Sequence, residues 1–151
     1  MVKKLQLEYD DENPYYYLGI SSSIPDYQLI FDLNKHLKLK FRRVEAFQFS
    51  FKKAMYTFSL YTYVDEENMI NYYFISNKDR NNRLSSQYKH LDYFLIVEGE
   101  ISEEQIKTFA RDIMKLPRVM LASQLEAEHF EKIQDLRYEF DMHIDKVLKN
   151  K

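Results

Sequence analysis

The chain contains no cysteine. Disulfide scaffolds, thiolate metal centres and cysteine catalysis are therefore closed to it, and it has no need of an oxidising compartment. Glycine is scarce as well: Gly19 and Gly99 are the only two in 151 residues, where average usage gives roughly ten. Each stands just before a segment with helical spacing. Each is expected to supply what only glycine supplies, a positive φ or a close backbone approach. Long hydrophobic runs are missing too. The longest wholly apolar stretch is Tyr93 to Val97, far too short to cross a bilayer as a helix. Met1-Val2-Lys3-Lys4 opens as a signal peptide does, but Gln6, Glu8, Asp10 and Asp11 follow with no apolar core. The chain is read as cytoplasmic, without an export signal and without a membrane partner. Neither sign of charge dominates, and a net charge of −2 points to no class of partner.

What is present is the composition of a folded domain, 45% hydrophobic and 30% charged. The length suits a single domain over 1–151, with a core at 1–125 and an acidic C-terminal extension at 126–151. The 13 tyrosines and 11 phenylalanines are what an AT-rich genome produces without any functional demand.

Periodicity then organises the chain. Leu5, Leu7 and Tyr9 alternate with polar residues as a short edge strand, and Asp10 to Pro14 breaks it. Tyr15 to Ile20 reads as a buried strand. Ser21-Ser22-Ser23 leads into a first helix with Ser23 as N-cap and Pro25 in its first turn. Tyr27, Ile30, Leu33, Asn34 and Leu37 trace its inner side. From Leu39 to Phe51 the period changes to two. Met55 to Val64 and Met69 to Ile75 are further strands, joined by a hairpin loop at Asp65 to Asn68. Ser76 to Gln87 is the longest polar stretch, either a surface loop or the mobile part of a site. Leu91 to Val97 is a central strand. Gly99 turns it, Ser102 with Gln105 makes a capping box, and Ile106, Phe109, Ala110 and Ile113 form a buried stripe ended by Pro117. Arg118 to Ser123 returns as a strand. The last segment is ambiguous: Leu136, Tyr138, Phe140, Met142 and Ile144 alternate as a strand would, yet Phe130, Ile133, Leu136, Phe140, Ile144 and Val147 fit a helix. Its length, with no Gly or Pro from Glu126 to Lys151, decides for helix.

These elements predict an α+β fold: a two-layer sandwich with a mainly antiparallel sheet of about six strands and two helices on one face. It is ferredoxin-like or ACT-like with an extra hairpin.

No catalytic constellation emerges. Glu126 and His129 form a Glu-x-x-His pair, the spacing used in di-iron bundles, but it occurs once, so no metal, cofactor or catalytic residue is assigned. Ser21, Ser22 and Ser23 at a helix start could seat a small anion or metabolite, although capping alone accounts for them. The charge pattern says more. From Lys35 to Lys53, seven bases face one acid, Glu45; from Leu125 to Asp145, seven acids face two bases. Lys38, Lys40, Arg42 and Arg43, interleaved with aromatics over residues 38–51, are the candidates for nucleic-acid contact. The competing reading has the opposite segments facing each other, within one chain or across a homodimer.

Ser85-Ser86-Gln87-Tyr88-Lys89-His90-Leu91-Asp92-Tyr93 resembles the signature of an uncharacterised family of small bacterial proteins, the IPExxxVDY family. Asp92 and Tyr93 match it; Leu91 stands for Val, Gln87 for Glu, and Ser85-Ser86 for Ile-Pro. Leu18 to Ser23, Asp26-Tyr27, Leu33 to Lys35 and Ile75 to Lys78 extend the similarity, which spans Leu5 to Leu125. The resemblance implies no activity. It singles out Gln87, Asp92 and Tyr93 as contact candidates, against a reading in which the Asp92 carboxylate fixes loop geometry. The function these observations favour is a non-catalytic cytoplasmic interaction module working as a homodimer. RNA binding and anion sensing are the alternatives.

Overall fold

Six strands pair antiparallel into one sheet, and the order in which they lie explains both strand–helix halves. The computed structural model describes residues 15–51, 53–133 and 135–149; the strand expected at Leu5 to Tyr9 and the break at Asp10 to Pro14 lie outside them. The elements run β1 (Tyr15–Ser22), α1 (Asp26–Leu37), β2 (Arg42–Phe51), β3 (Ala54–Asp65), β4 (Ile70–Ser76), a small hairpin of β5 (Lys78–Asp79) and β6 (Asn82–Arg83), β7 (Tyr93–Gly99), α2 (Glu103–Met114), β8 (Val119–Leu125), α3 (Ala127–Glu131) and α4 (Leu136–Lys149). The sheet order is β2-β3-β4-β7-β1-β8. Because β7 and β8 are both antiparallel to β1, they run parallel to each other with β1 between them. The quartet β4-β7-β1-β8 with α1 and α2 has the ferredoxin-like order, and the hairpin β2–β3 is the addition.

β7 shows why Tyr93 to Val97 is apolar without a break. Tyr93, Leu95 and Val97 point into one core, while Phe94 and Ile96 point into the other. Leu29, Ile30 and Leu33 of α1 and Ile106, Ala110 and Ile113 of α2 fill the first core. The second core is closed by the C-terminal segment, which is helical. Phe130 stacks on Tyr17 with ring centroids 4.2 Å apart, and Phe140 meets Tyr15, Phe47 and Tyr73 edge-on. Asp141 accepts a 2.5 Å hydrogen bond from the Tyr15 hydroxyl and pairs with Arg137, whose guanidinium lies 3.6 Å over the Tyr15 ring. The acidic extension is thus a third layer on the sheet.

The two glycines do different things. Gly99 has φ +139°, and a Cβ there would run into the Met69 carbonyl oxygen. Gly19 lies beneath Leu91 and Leu125, whose side chains occupy the space a Cβ would need. One needs the backbone conformation, the other the close approach.

Three local expectations are corrected. Ser23 is not the N-cap: α1 starts at Asp26 with Pro25 in the cap position and no side-chain cap bond. Proline has no side chain to accept, so Asp26 takes the Tyr27 N–H with its own carboxylate. Tyr27 is not on the inner side but 65% exposed, and Leu29 replaces it there. Asn34 does face inward, because its amide clips both the N–H and the carbonyl of Phe41. The capping box of α2 is present as expected, with Ser102 and Gln105 bonding reciprocally. Nor is Ser76 to Gln87 a loose loop. It winds around Asn77, which is fully buried; the Asn77 side chain donates to the Tyr88 and Leu91 carbonyls and accepts from the Ser85 N–H.

Candidate functional site

Ser21, Ser22, Ser23, Asp92 and Tyr93 are brought together at the end of β1, around an open pocket of about 550 Å³. Gln87 is not among them; it lies in a separate cleft. The polar groups of this cluster are mostly committed. The β1–β8 register shifts at Ser21/Ser22, and Asp92 accepts the Ser22 N–H at 2.9 Å. The same carboxylate pairs with Lys78 at 2.8 Å. The Ser22 hydroxyl donates to the Arg118 carbonyl at 2.7 Å. The Tyr93 hydroxyl donates to the Ile24 carbonyl, and burial pushes its pKa up, with Asp26 adding to the effect. An anion arriving here meets a carboxylate of the chain already holding the Ser22 N–H. Lys78 and Met120, which complete the pocket wall, were not singled out by the sequence.

The basic segment is at the opposite edge of the sheet. Lys38, Lys40, Arg42 and Arg43 are all exposed, but the aromatics between and after them are not. Phe41, Phe47 and Phe49 are buried, so the rings that would stack on bases are spent on the cores. Helix α4, which carries three acids and three bases, does pack on β2, through a pairing opposite in sign to the segments as a whole: Lys146 meets Glu45 at 3.1 Å, and the His143 ring bonds the Glu45 carbonyl at 2.8 Å.

His129 turns away from Glu126 to the Ser85 hydroxyl, 2.8 Å from its Nε2. Ser85 is 1% exposed and its oxygen also receives the Tyr88 N–H at 3.4 Å. Burial lowers the His129 pKa, and Lys132 lowers it further. The ring and the hydroxyl share one hydrogen bond, and the pair pins the 76–92 segment to α3. Forty-four residues separate the two, so nothing local in the sequence announces the contact.

The two edges of the sheet differ in kind. β2 carries Arg42, Arg43 and Glu45, has a register shift between Val44 and Phe47, and is clasped by α4. Charge, a bulge and a covering helix are the usual defences of an edge. β8 shares the irregularity, a register shift against β1 at Ser21/Ser22, but among the described residues it has neither a charge nor a strand on its outer side. Its seven residues, Val119–Leu125, include no charge. Met120 is 67% exposed and Leu121 37%, with Met114 of the helix packed behind them 44% exposed. Among the described residues no strand lies beyond it.

The chain matches no protein-family model and no curated protein. Among the described residues, no helix is long and apolar enough to cross a membrane.

Proposed function

We propose that this protein is a non-catalytic cytoplasmic interaction module whose primary contact is with a second copy of itself, through β8. The observation that carries the reading is the uncharged edge of Val119–Leu125, beyond which no strand lies among the described residues. An unpaired row of N–H and C=O groups is a template for another strand. Antiparallel self-pairing centred on Ala122 sets Val119 opposite Leu125 and Met120 opposite Gln124, so no like charges meet. A twofold axis at Ala122 makes the contact isologous. The non-catalytic part is supported by the Ser85–His129 pair, whose hydroxyl is buried and doubly bonded. Membership of the IPExxxVDY family belongs to the same reading: Asp92 and Tyr93, the two residues that match its signature, act here as structural anchors.

Sedimentation and light scattering test the proposal. The wild type is expected to be a dimer, and Met120→Lys with Leu121→Lys a folded monomer of unchanged circular dichroism. A wild type that stays monomeric at high concentration overturns the reading, as does a dimer that survives both lysines.

A further inference from the structure

Winding the polar segment around Asn77 leaves a second concavity that the β8 contact does not use. It lies between this segment, the end of β2 and α3, and encloses about 850 Å³, within the range of small-molecule sites, roughly 300–1,000 Å³. Among the described residues no Asp or Glu lines it, although the chain as a whole carries a net charge of −2. Arg83 and Lys89 stand on its rim, and among the described residues neither has a carboxylate partner. Arg83 is held in place by neutral groups instead, donating to the Lys89 and Asn82 carbonyls at 3.1 and 3.4 Å. Its orientation is fixed while its charge stays uncompensated. A concave wall of one sign focuses the potential at the mouth and concentrates the opposite charge there. His90 lies on the same side, and half-buried Phe51 supplies an apolar wall backed by the buried Phe49, their rings 5.7 Å apart and tilted by 42°.

We propose that this cleft binds an organic anion that joins a phosphate, carboxylate or sulfonate head to a flat apolar body, the head on Arg83 and Lys89 and the body against Phe51. A bare inorganic anion fills too little of the volume and leaves the aromatic wall unused. A neutral aromatic leaves the two cations unpaired.

Anilinonaphthalene sulfonate, which has both parts, is the probe, followed by its fluorescence and displaced by phenyl phosphate, inorganic phosphate or phenol. Saturable one-to-one binding is expected, displaced by phenyl phosphate well before the other two. Arg83→Gln and Lys89→Gln are each expected to weaken it by about tenfold, the loss of one charge-assisted contact. Lys89 is exposed and makes no side-chain bond among the described residues, so its variant leaves the fold intact. Binding that is absent, indifferent to both variants, or displaced equally by phenol and phenyl phosphate overturns the proposal. The β8 variants leave it unchanged, so the two proposals fail separately.

Discussion

Replacing Asp92 by alanine is expected to cost the protein about 2–4 kcal/mol, and the sum can be worked from two contacts. The larger is the hydrogen bond from the Ser22 N–H. Ser22 is 3% exposed, and its N–H bonds the Asp92 carboxylate at 2.9 Å. A buried donor left unmade costs about 1–3 kcal/mol. The smaller is the ion pair with Lys78. The lysine side chain is 47% exposed and the aspartate 17%, which limits this pair to about 1 kcal/mol. Asp92→Asn keeps an oxygen facing Ser22 and loses only the charge, so it is expected to cost about 1 kcal/mol. Lys78→Met isolates the ion pair and stays within about the same figure. Urea unfolding measures all three, with the midpoint shifting at constant slope. At this chain length each kcal/mol moves the thermal midpoint by roughly 2–4 °C. The reasoning is refuted if alanine and asparagine cost the same, or if alanine costs less than about 0.5 kcal/mol, the scatter of an ordinary surface substitution.

Gly99→Ala is expected to lose about 3 kcal/mol, because φ +139° is strained for any L residue and the added Cβ meets a backbone carbonyl that cannot swing aside; Gly19→Ala, opposed only by the ends of Leu91 and Leu125, is expected to lose less, and the order is read from the same unfolding curves. His129 has its pKa depressed in the folded state by burial, then by Lys132, so the unfolded chain binds the proton more readily. Its contribution is complete above an ordinary histidine pKa of about 6.5 and is lost as pH falls through the lower folded value. Thermal midpoints at neutral and mildly acid pH check this: His129→Gln is expected to flatten the acid side of the profile, and an unchanged slope counts against the assignment.

How much of this was legible in the sequence follows from how local each signal was. The capping box at Ser102 and Gln105 is a four-residue pattern, and it holds. The central strand was readable because Tyr93 to Val97 of β7 alternates between two apolar cores, so no polar residue interrupts that run. The start of α1 was misread because three serines before a proline look like a cap, whereas the irregularity of β1 at Ser21/Ser22 had already claimed Ser22 for Arg118 and Asp92. Those partners lie 96 and 70 residues away. The C-terminal segment satisfied both periods because Leu136, Phe140 and Ile144 are spaced by four, a multiple of two that is also close to one helical turn. Which strand lies at an edge depends on topology alone. So does the meeting of Arg83, Lys89 and Phe51 around one cleft.

Edge position also decides what kind of assembly β8 can make. A chain with two bare edges would pair β8 with β8 and β2 with β2 in alternation, and nothing would stop the sheet from growing into a fibre. Here the second edge is closed. Self-pairing through β8 puts a β2 strand at each end of the joined sheet, and each is guarded by Arg42 and Arg43, by the irregularity at Val44/Phe47 and by His143 and Lys146 of α4 on Glu45. On the proposed pairing, growth would end at two copies. The C-terminal helix that covers the second core is also the element that makes a finite dimer possible. Loosening its grip, by Phe140→Ala in the core rather than at the edge, would turn a closed pair into an aggregating chain.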